Sequence, residues 1–173
     1  MNILVLNGSP RPNGNTVAMI NAFADGAKKV GNDVTVIDVC KKKIAGCLGC
    51  EYCHTKGNGD CVQKDDMTEV YLALEKAEML VLASPIYYWG FTGQLQSAIN
   101  RMYAVGKPKM LKKSALILSS ESPDVYEGAI YGYKNSFPIY MGLEDMGIFT
   151  ANGDQNKSEE KLSELRAFGE TLK

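Results

Sequence analysis

The sequence predicts an α/β fold in which a parallel sheet is covered by helices on both faces. Three observations predict it. Short apolar runs such as Ile3-Leu4-Val5-Leu6 alternate with stretches of helical period, and strands alternating with helices build parallel sheets. Residues 78–83 (EMLVLA) form a near-continuous apolar run, as a strand buried on both faces requires. Two of the strands end in loops rich in Gly, Ser, Asn or Pro, at residues 7–14 and 84–90, and each loop feeds a helical pattern.

The elements follow in order. After the first strand and loop, Val17, Ile20, Phe23, Ala24 and Ala27 keep helical spacing and Gly31 stops the helix. Residues 33–39 (DVTVIDV) form the second strand. Asp38 at its end stands about where a dinucleotide enzyme keeps its ribose-binding acid, but no G-x-G-x-x-G precedes it, so a capped or solvated strand end is the better reading. Periodicity is lost from Cys40 to Lys64, a long connection for a compact domain. Asp66 and Glu69 offer a capping box for the helix marked by Met67, Val70, Tyr71 and Leu74. Thr92 can cap the helix after the third strand, with Leu95, Ala98, Ile99 and Met102 facing in. Residues 114–119 make a fourth strand. Residues 124–141 keep helical spacing at Tyr126, Ile130, Tyr133 and Phe137, weakened by Gly128, Gly132 and Pro138. Residues 145–150 read as a fifth strand despite Gly147, and Ser158 opens a last helix with Leu162, Leu165, Phe168 and Leu172 inward. Right-handed crossovers and five strands suggest the order 2-1-3-4-5, with ligand at the switch point between the first and third strands. That rule sets the two loops side by side.

The first loop joins a strand to a helix N-terminus, whose free N–H groups and partial positive charge suit a phosphate. It lacks the Gly-Lys-Ser/Thr of a nucleotide P-loop. Ser9, Asn13, Asn15 and Thr16 remain as neutral donors, with Arg11 as the one full charge, a set suited to a single terminal phosphate. The same residues also read as an ordinary turn with an N-cap at Asn15 or Thr16. In the second loop, Pro85 stiffens the exit from the strand, and Tyr87, Tyr88 and Trp89 offer flat apolar surface with polar tips. These rings suit a planar cofactor, or else close the core or an oligomer interface.

Gly8-Ser9-Pro10-Arg11 with Gly14-Asn15-Thr16, then Ser84-Pro85-Ile86-Tyr87-Tyr88-Trp89-Gly90 and Gln94-Leu95-Gln96-Ser97-Ala98-Ile99-Asn100-Arg101, resemble the NADPH-dependent FMN reductase family. The resemblance covers most of the chain. It implies a single flavodoxin-like three-layer sandwich over residues 1–173, with a cysteine-rich loop at 40–64. It also implies that Ser9, Arg11, Asn13, Asn15 and Thr16 hold the FMN phosphate. Pro85, Ile86, Tyr87 and Tyr88 would lie along the isoalloxazine, with Trp89 facing either that ring or a neighbouring subunit. Ser119 and Ser120 end the fourth strand as a third wall, where Glu121 replaces the glycine common in relatives. The implied activity takes hydride from NAD(P)H and passes electrons to a quinone, a flavin or an electron carrier. No catalytic side chain is required, because FMN carries the chemistry. A homodimer or homotetramer is implied as well.

Cys47-x2-Cys50-x2-Cys53, followed by Cys61, resembles the loop of the iron–sulfur flavoprotein branch. Four thiolates this close can clasp a [4Fe–4S] cluster. The fourth cysteine comes after seven intervening residues and has no following proline, a departure from ferredoxins. Three readings stay open: a cluster, free thiols, and a zinc site with His54 as an extra ligand. A cluster would make the chain an electron carrier, and free thiols would also suit a redox sensor. His54 otherwise reads as solvated and Cys40 as core.

Composition narrows the classes. With 173 residues and 45% hydrophobic content the chain can bury one sizeable core. A net charge of −1 without basic blocks points away from nucleic acid. No apolar run approaches membrane-span length, and the N-terminus reads as strand and loop rather than a signal peptide. Clustered cysteines point to metal or redox use in the cytoplasm.

Overall fold

The structure is a computed structural model that describes residues 1–172. Its five strands are β1 (Asn2–Asn7), β2 (Asp33–Asp38), β3 (Met79–Pro85), β4 (Lys113–Ser120) and β5 (Glu144–Asn152). They form one all-parallel sheet in the order β2-β1-β3-β4-β5, as the sequence predicts. The helices are α1 (Asn15–Lys29), α2 (Tyr52–Thr55), α3 (Met67–Lys76), α4 (Gly93–Arg101), α5 (Glu127–Lys134) and α6 (Glu159–Thr171).

Alternation along the strands sorts the core into two layers, because successive side chains point to opposite faces. Leu4, Leu6, Leu80, Leu82, Leu116 and Leu118 pack beneath α3, α4 and α5. Ile3, Val5, Val81, Ala83, Ala115 and Ile117 pack beneath α1 and α6. The central strands are therefore buried at nearly every position, with polar residues confined to their ends, whereas edge strand β2 buries Val34 and Ile37 and exposes Asp33, Thr35 and Val36.

On the second face α1 and α6 approach until backbones touch. A Cβ on Gly26 would stand 2.0 Å from the Arg166 carbonyl oxygen, and one on Gly169 would stand 2.4 Å from that of Phe23. Backbone cannot yield as a flexible side chain does. Gly26→Ala is therefore expected to force the helices apart and cost about 1–3 kcal/mol, read as a lower urea midpoint at unchanged slope.

Several local expectations change. The capping box of Asp66 and Glu69 does not form. Asp66 instead accepts the Lys43 N–H at 2.7 Å, and Glu69 pairs with Lys42. Both carboxylates hold the chain that leaves β2, and the Met67 N–H turns to Asp65 Oδ1 at 3.2 Å. The α4 cap is as expected, with Thr92 Oγ1 accepting from Leu95 N–H. The inward face of α4, however, includes Arg101. The 124–141 segment divides into α5, which accommodates Gly128 and Gly132, and a wide π-type turn, Asn135–Tyr140, which contains Pro138. Strand β5 carries Gly147 in a bulge: Ser114 pairs with Asp145 and Leu116 with Ile148, one residue more on β5 than on β4.

Candidate functional site

The first loop is built on Asn7, buried at the end of β1. Its amide donates to Asp38 Oδ1 at 2.8 Å, and its carbonyl oxygen accepts the Ser9 N–H at 2.9 Å. Asp38 thus serves its own strand end, where burial opposes its charge but Lys41 and Asn7 outweigh that and hold its pKa low. Gly8 donates to the Ala83 carbonyl at 2.7 Å, and its own carbonyl accepts from Thr92 Oγ1 at 2.9 Å and from Cys40 Sγ at 3.0 Å. Burial pushes the Cys40 thiol up, keeping it protonated as a donor. Gly8 has no room for a side chain, since a Cβ would lie 2.9 Å from Leu95 Cβ. The loop is therefore clamped to β3 and α4 before it reaches α1.

The N-terminus of α1 is open. Its N-cap is Gly14, with no side-chain cap and no acidic residue in the first turn. The sequence allowed a cap at Asn15 or Thr16, but both lie inside the helix. Thr16 turns its hydroxyl to Ser119 Oγ at 2.7 Å, joining the first loop to the end of β4. Either hydroxyl can donate in that pair, so the other keeps its proton for a third group. By contrast α6 is capped by Ser158 and carries Glu159 and Glu160 in its first turn. The free donors of α1 face a cleft of about 180 Å³ lined by Ser9, Arg11, Gly14, Asn15, Thr16, Pro85, Ile86, Tyr87, Ser119, Ser120 and Glu121. Its residues fit a phosphate monoester: unsatisfied N–H groups, hydroxyls, Arg11, and a glycine whose Cβ would crowd Ser9 Oγ at 3.2 Å.

Ten of the twelve residues expected from the sequence to hold the cofactor bear on this arrangement unevenly. Ser9, Arg11, Asn15, Thr16, Pro85, Ile86, Tyr87, Ser119 and Ser120 line the cleft. Asn13 is exposed beside it, its carbonyl accepting from Lys157 Nζ at 3.0 Å. Lys157, which sequence reasoning missed, brings a second cation to the loop from 144 residues away, with no local signal. Ser120 has its hydroxyl within 2.6 Å of both the Tyr126 hydroxyl and the Ser122 carbonyl.

Tyr88 and Trp89 do not line the cleft. Tyr87 and Gly90 exchange N–H···O bonds of 3.0 and 3.1 Å, closing a tight turn with Tyr88 at φ 49° and Trp89 at φ 61°. Two consecutive left-handed non-glycine residues are strained. Gly128 of α5 supports the turn, since a Cβ there would meet the Trp89 carbonyl at 2.5 Å. Tyr88 is 99% exposed at the tip. Tyr88→Gly is expected to relieve strain and stabilise the free protein by about 1 kcal/mol, measured by thermal melting, because Tyr88 has almost no packing to lose.

The four clustered cysteines line one small cavity with Arg101, Tyr103 and Ala104. Cys53 is buried on short α2, Cys61 is half-buried, and Cys47 and Cys50 are exposed. Among the described residues no three His, Cys, Asp or Glu side chains converge to hold one ion. A cubane takes one thiolate on each of its four irons, so its ligands surround a volume rather than meet at a point. The cavity measures about 20 Å³, so a cluster would need the exposed 47–51 segment to move outward. The donor chemistry fits: four thiols, apolar walls and a buried arginine. His54 lies off this cavity, its Nε2 2.9 Å from the Tyr103 carbonyl and its ring edge-on to Tyr103.

The sequence model for NADPH-dependent FMN reductase matches residues 1–151. The chain belongs to that family. Among curated relatives, an iron–sulfur flavoprotein of Archaeoglobus fulgidus is 38% identical over 151 residues, covering 84% of this chain and 66% of that one. An iron–sulfur flavoprotein of Methanocaldococcus jannaschii is 38% identical over 114 residues, covering 65% of this chain and 57% of that one. This FMN reductase family member thus spans about half to two thirds of the length of such relatives. Among solved structures, an NAD(P)H:quinone oxidoreductase from Methanothermobacter marburgensis superposes with a TM-score of 0.77 at 16% identity, covering 100% of this chain and 96% of that one. At that identity the likeness speaks to the flavodoxin-like fold. Among the described residues no helix is long and apolar enough to cross a membrane.

Proposed function

We propose that the chain is an FMN-dependent oxidoreductase that oxidises NAD(P)H. The observation that carries this is the uncapped N-terminus of α1 opening into a cleft shared by the two loops and the end of β4. FMN, when bound, accepts hydride and releases electrons singly or in pairs. The α1 N–H groups, Ser9, Arg11, Asn15 and whichever of Thr16 and Ser119 keeps its proton hold the phosphate. Asn13 and Lys157 keep the loop in place. Pro85, Ile86 and Tyr87, with Ser120 and Glu121 across the cleft, would hold the ring, and Tyr88 and Trp89 stand at the tip of the adjoining turn outside the cleft. Quinone, flavin or an electron carrier is the acceptor, and the cytoplasm is the compartment that suits its thiols. The first test is the visible spectrum of anaerobically purified protein, with flavin and iron measured together and NAD(P)H oxidation assayed next. A flavin spectrum with turnover supports the reading, and no flavin uptake after FMN addition overturns it.

A second reading is favoured by the convergence of Cys47, Cys50, Cys53 and Cys61 on one cavity: an electron carrier holding a [4Fe–4S] cluster, as the names of its curated relatives suggest. About four irons per chain are its expected result. The chain would act as a homodimer or homotetramer, which the exposure of Tyr131 (73%), Ile139 (71%) and Tyr140 (86%) supports. Light scattering giving a monomer overturns that assembly.

A further inference from the structure

Arg101 carries a charge that the flavin chemistry does not use. It ends α4 and is 1% exposed. Nη1 donates to the Ala45 carbonyl at 2.9 Å and to Asp65 Oδ2 at 2.8 Å, and Nη2 donates to Asp65 Oδ1 at 3.0 Å. Ala45 lies two residues before Cys47 and Asp65 four after Cys61, so one guanidinium ties both ends of the thiol-bearing segment. The fork meets Asp65 end-on, which leaves Nε–H over. Among the described residues that buried donor has no acceptor. Arg101 lines the same cavity as Cys47, Cys50, Cys53 and Cys61.

A buried N–H without a partner is costly, and buried donors in native proteins are nearly always satisfied. The two terminal nitrogens are taken by Asp65 and the Ala45 carbonyl, and the neighbouring Tyr71 hydroxyl gives its proton to the Arg101 carbonyl. In the cavity the Glu51 carboxylate is taken by the Tyr103 hydroxyl, and the four cysteines bring sulfur acceptors: thiolates, or the sulfides of a cluster they bind. We propose that Arg101 Nε–H is the hydrogen-bond donor to an iron–sulfur cluster held by these four cysteines, and that this bond raises the cluster's affinity for an electron. The proposal rests on the second reading above.

The direction follows from charge. Reduction adds one electron and makes the sulfurs better acceptors, so the donor stabilises the reduced state more than the oxidised one. Hydrogen bonds to cluster sulfurs are among the known levers on potential. No bond is made or broken apart from strengthening this one. The proton stays on Nε, because arginine is not deprotonated in proteins. Asp65 neutralises much of the formal charge, so the effect belongs to the Nε–H and not merely to a nearby cation. Lysine therefore does not replace it.

The test uses full-length protein reconstituted anaerobically with iron and sulfide and reduced with dithionite. The chain has only three arginines, Arg11, Arg101 and Arg166, so protein grown on nitrogen-15 arginine reports on few sites. Pulsed EPR of the reduced cluster is expected to give hyperfine coupling to an arginine nitrogen. In Arg101→Lys that coupling is lost, and electron affinity falls at least tenfold, a midpoint about 59 mV more negative for a one-electron couple. The labelled wild-type measurement stands even where the variant does not fold. A loaded cluster without arginine coupling, or an unchanged midpoint in Arg101→Lys, overturns the assignment of Arg101 and leaves the cluster reading intact. Protein that takes up no iron overturns both.

Discussion

Replacing Arg101 with alanine is expected to destabilise the protein by about 3–5 kcal/mol, the usual result of removing one partner from a buried ion pair. The cost has three sources in this structure. Asp65 loses a two-bonded partner while its side chain stays largely enclosed. The Ala45 carbonyl loses its donor. The arginine stem also vacates volume on the inward face of α4, next to Ala98 and Met102. The variant should show a lower urea midpoint and earlier proteolysis between residues 45 and 65, because that guanidinium holds both ends of the segment. Tyr71 adds a further link, donating to the Arg101 carbonyl at 2.9 Å. Its hydroxyl has its pKa pushed up to about 12, chiefly by burial.

The same pair has a pH signature. Burial opposes ionisation of Asp65, but Arg101 and the backbone N–H groups of Ala45 and Met67 outweigh it and hold the folded-state pKa below the usual carboxylate range. A depressed carboxylate pKa contributes stability that is fully present above the unfolded value, about 3.9. That stability disappears as pH falls through the lower folded value. Asp65→Asn should therefore be less stable than wild type at neutral pH, with the gap closing below about pH 4. A gap that persists unchanged at low pH would mean that the carboxylate's charge is not what binds the segment.

Arg101 also marks where sequence reading stopped. The strands, the two loops and the helix order were legible because each follows from a local pattern: apolar runs, helical spacing, glycine and proline at strand exits. Leu95 and Ala98 announced the buried face of α4, and Arg101 continues their three-residue spacing. An arginine at that position reads as solvated unless its partner is known. Its partner, Asp65, lies beside Asp66, and that acidic pair resembles the start of a helix cap. The actual roles of these two residues depend on where the 40–64 segment returns, which no local pattern encodes. The N-terminus of α1 differs for a similar reason. Asn15 and Thr16 are good N-cap residues in isolation, but the Thr16 hydroxyl is drawn to Ser119, 103 residues away. Lys157 reaches Asn13 by the same kind of long-range closure. Local chemistry thus located the cleft, while the contacts that shape it come from chain segments far apart in sequence.

The open N-terminus of α1 permits a substitution with opposite effects on the free and the loaded protein. Asn15→Asp is nearly isosteric and puts a carboxylate into the first helical turn, which now holds no acid. In the free protein that charge complements the helix dipole and is expected to stabilise by about 0.3–1 kcal/mol. With the phosphate held at this helix end as proposed, the carboxylate faces it. Two unit charges about 4–5 Å apart, at an effective dielectric near 20, repel by about 3–4 kcal/mol, so FMN affinity should fall at least about 100-fold. Riboflavin has the same ring without the phosphate, and its affinity should be nearly unchanged. Fluorescence titration with both flavins, beside a thermal melt of the free protein, separates the terms. A higher melting temperature with FMN binding lost and riboflavin binding kept places the phosphate at this helix end. Equal losses for both flavins would mean that the substitution disturbs the ring site, and no loss for either would put the phosphate elsewhere. The electrostatics favour the first result, because the donors of α1 are the largest set of unsatisfied N–H groups that the cleft presents to an anion, and Asn15 stands first among them.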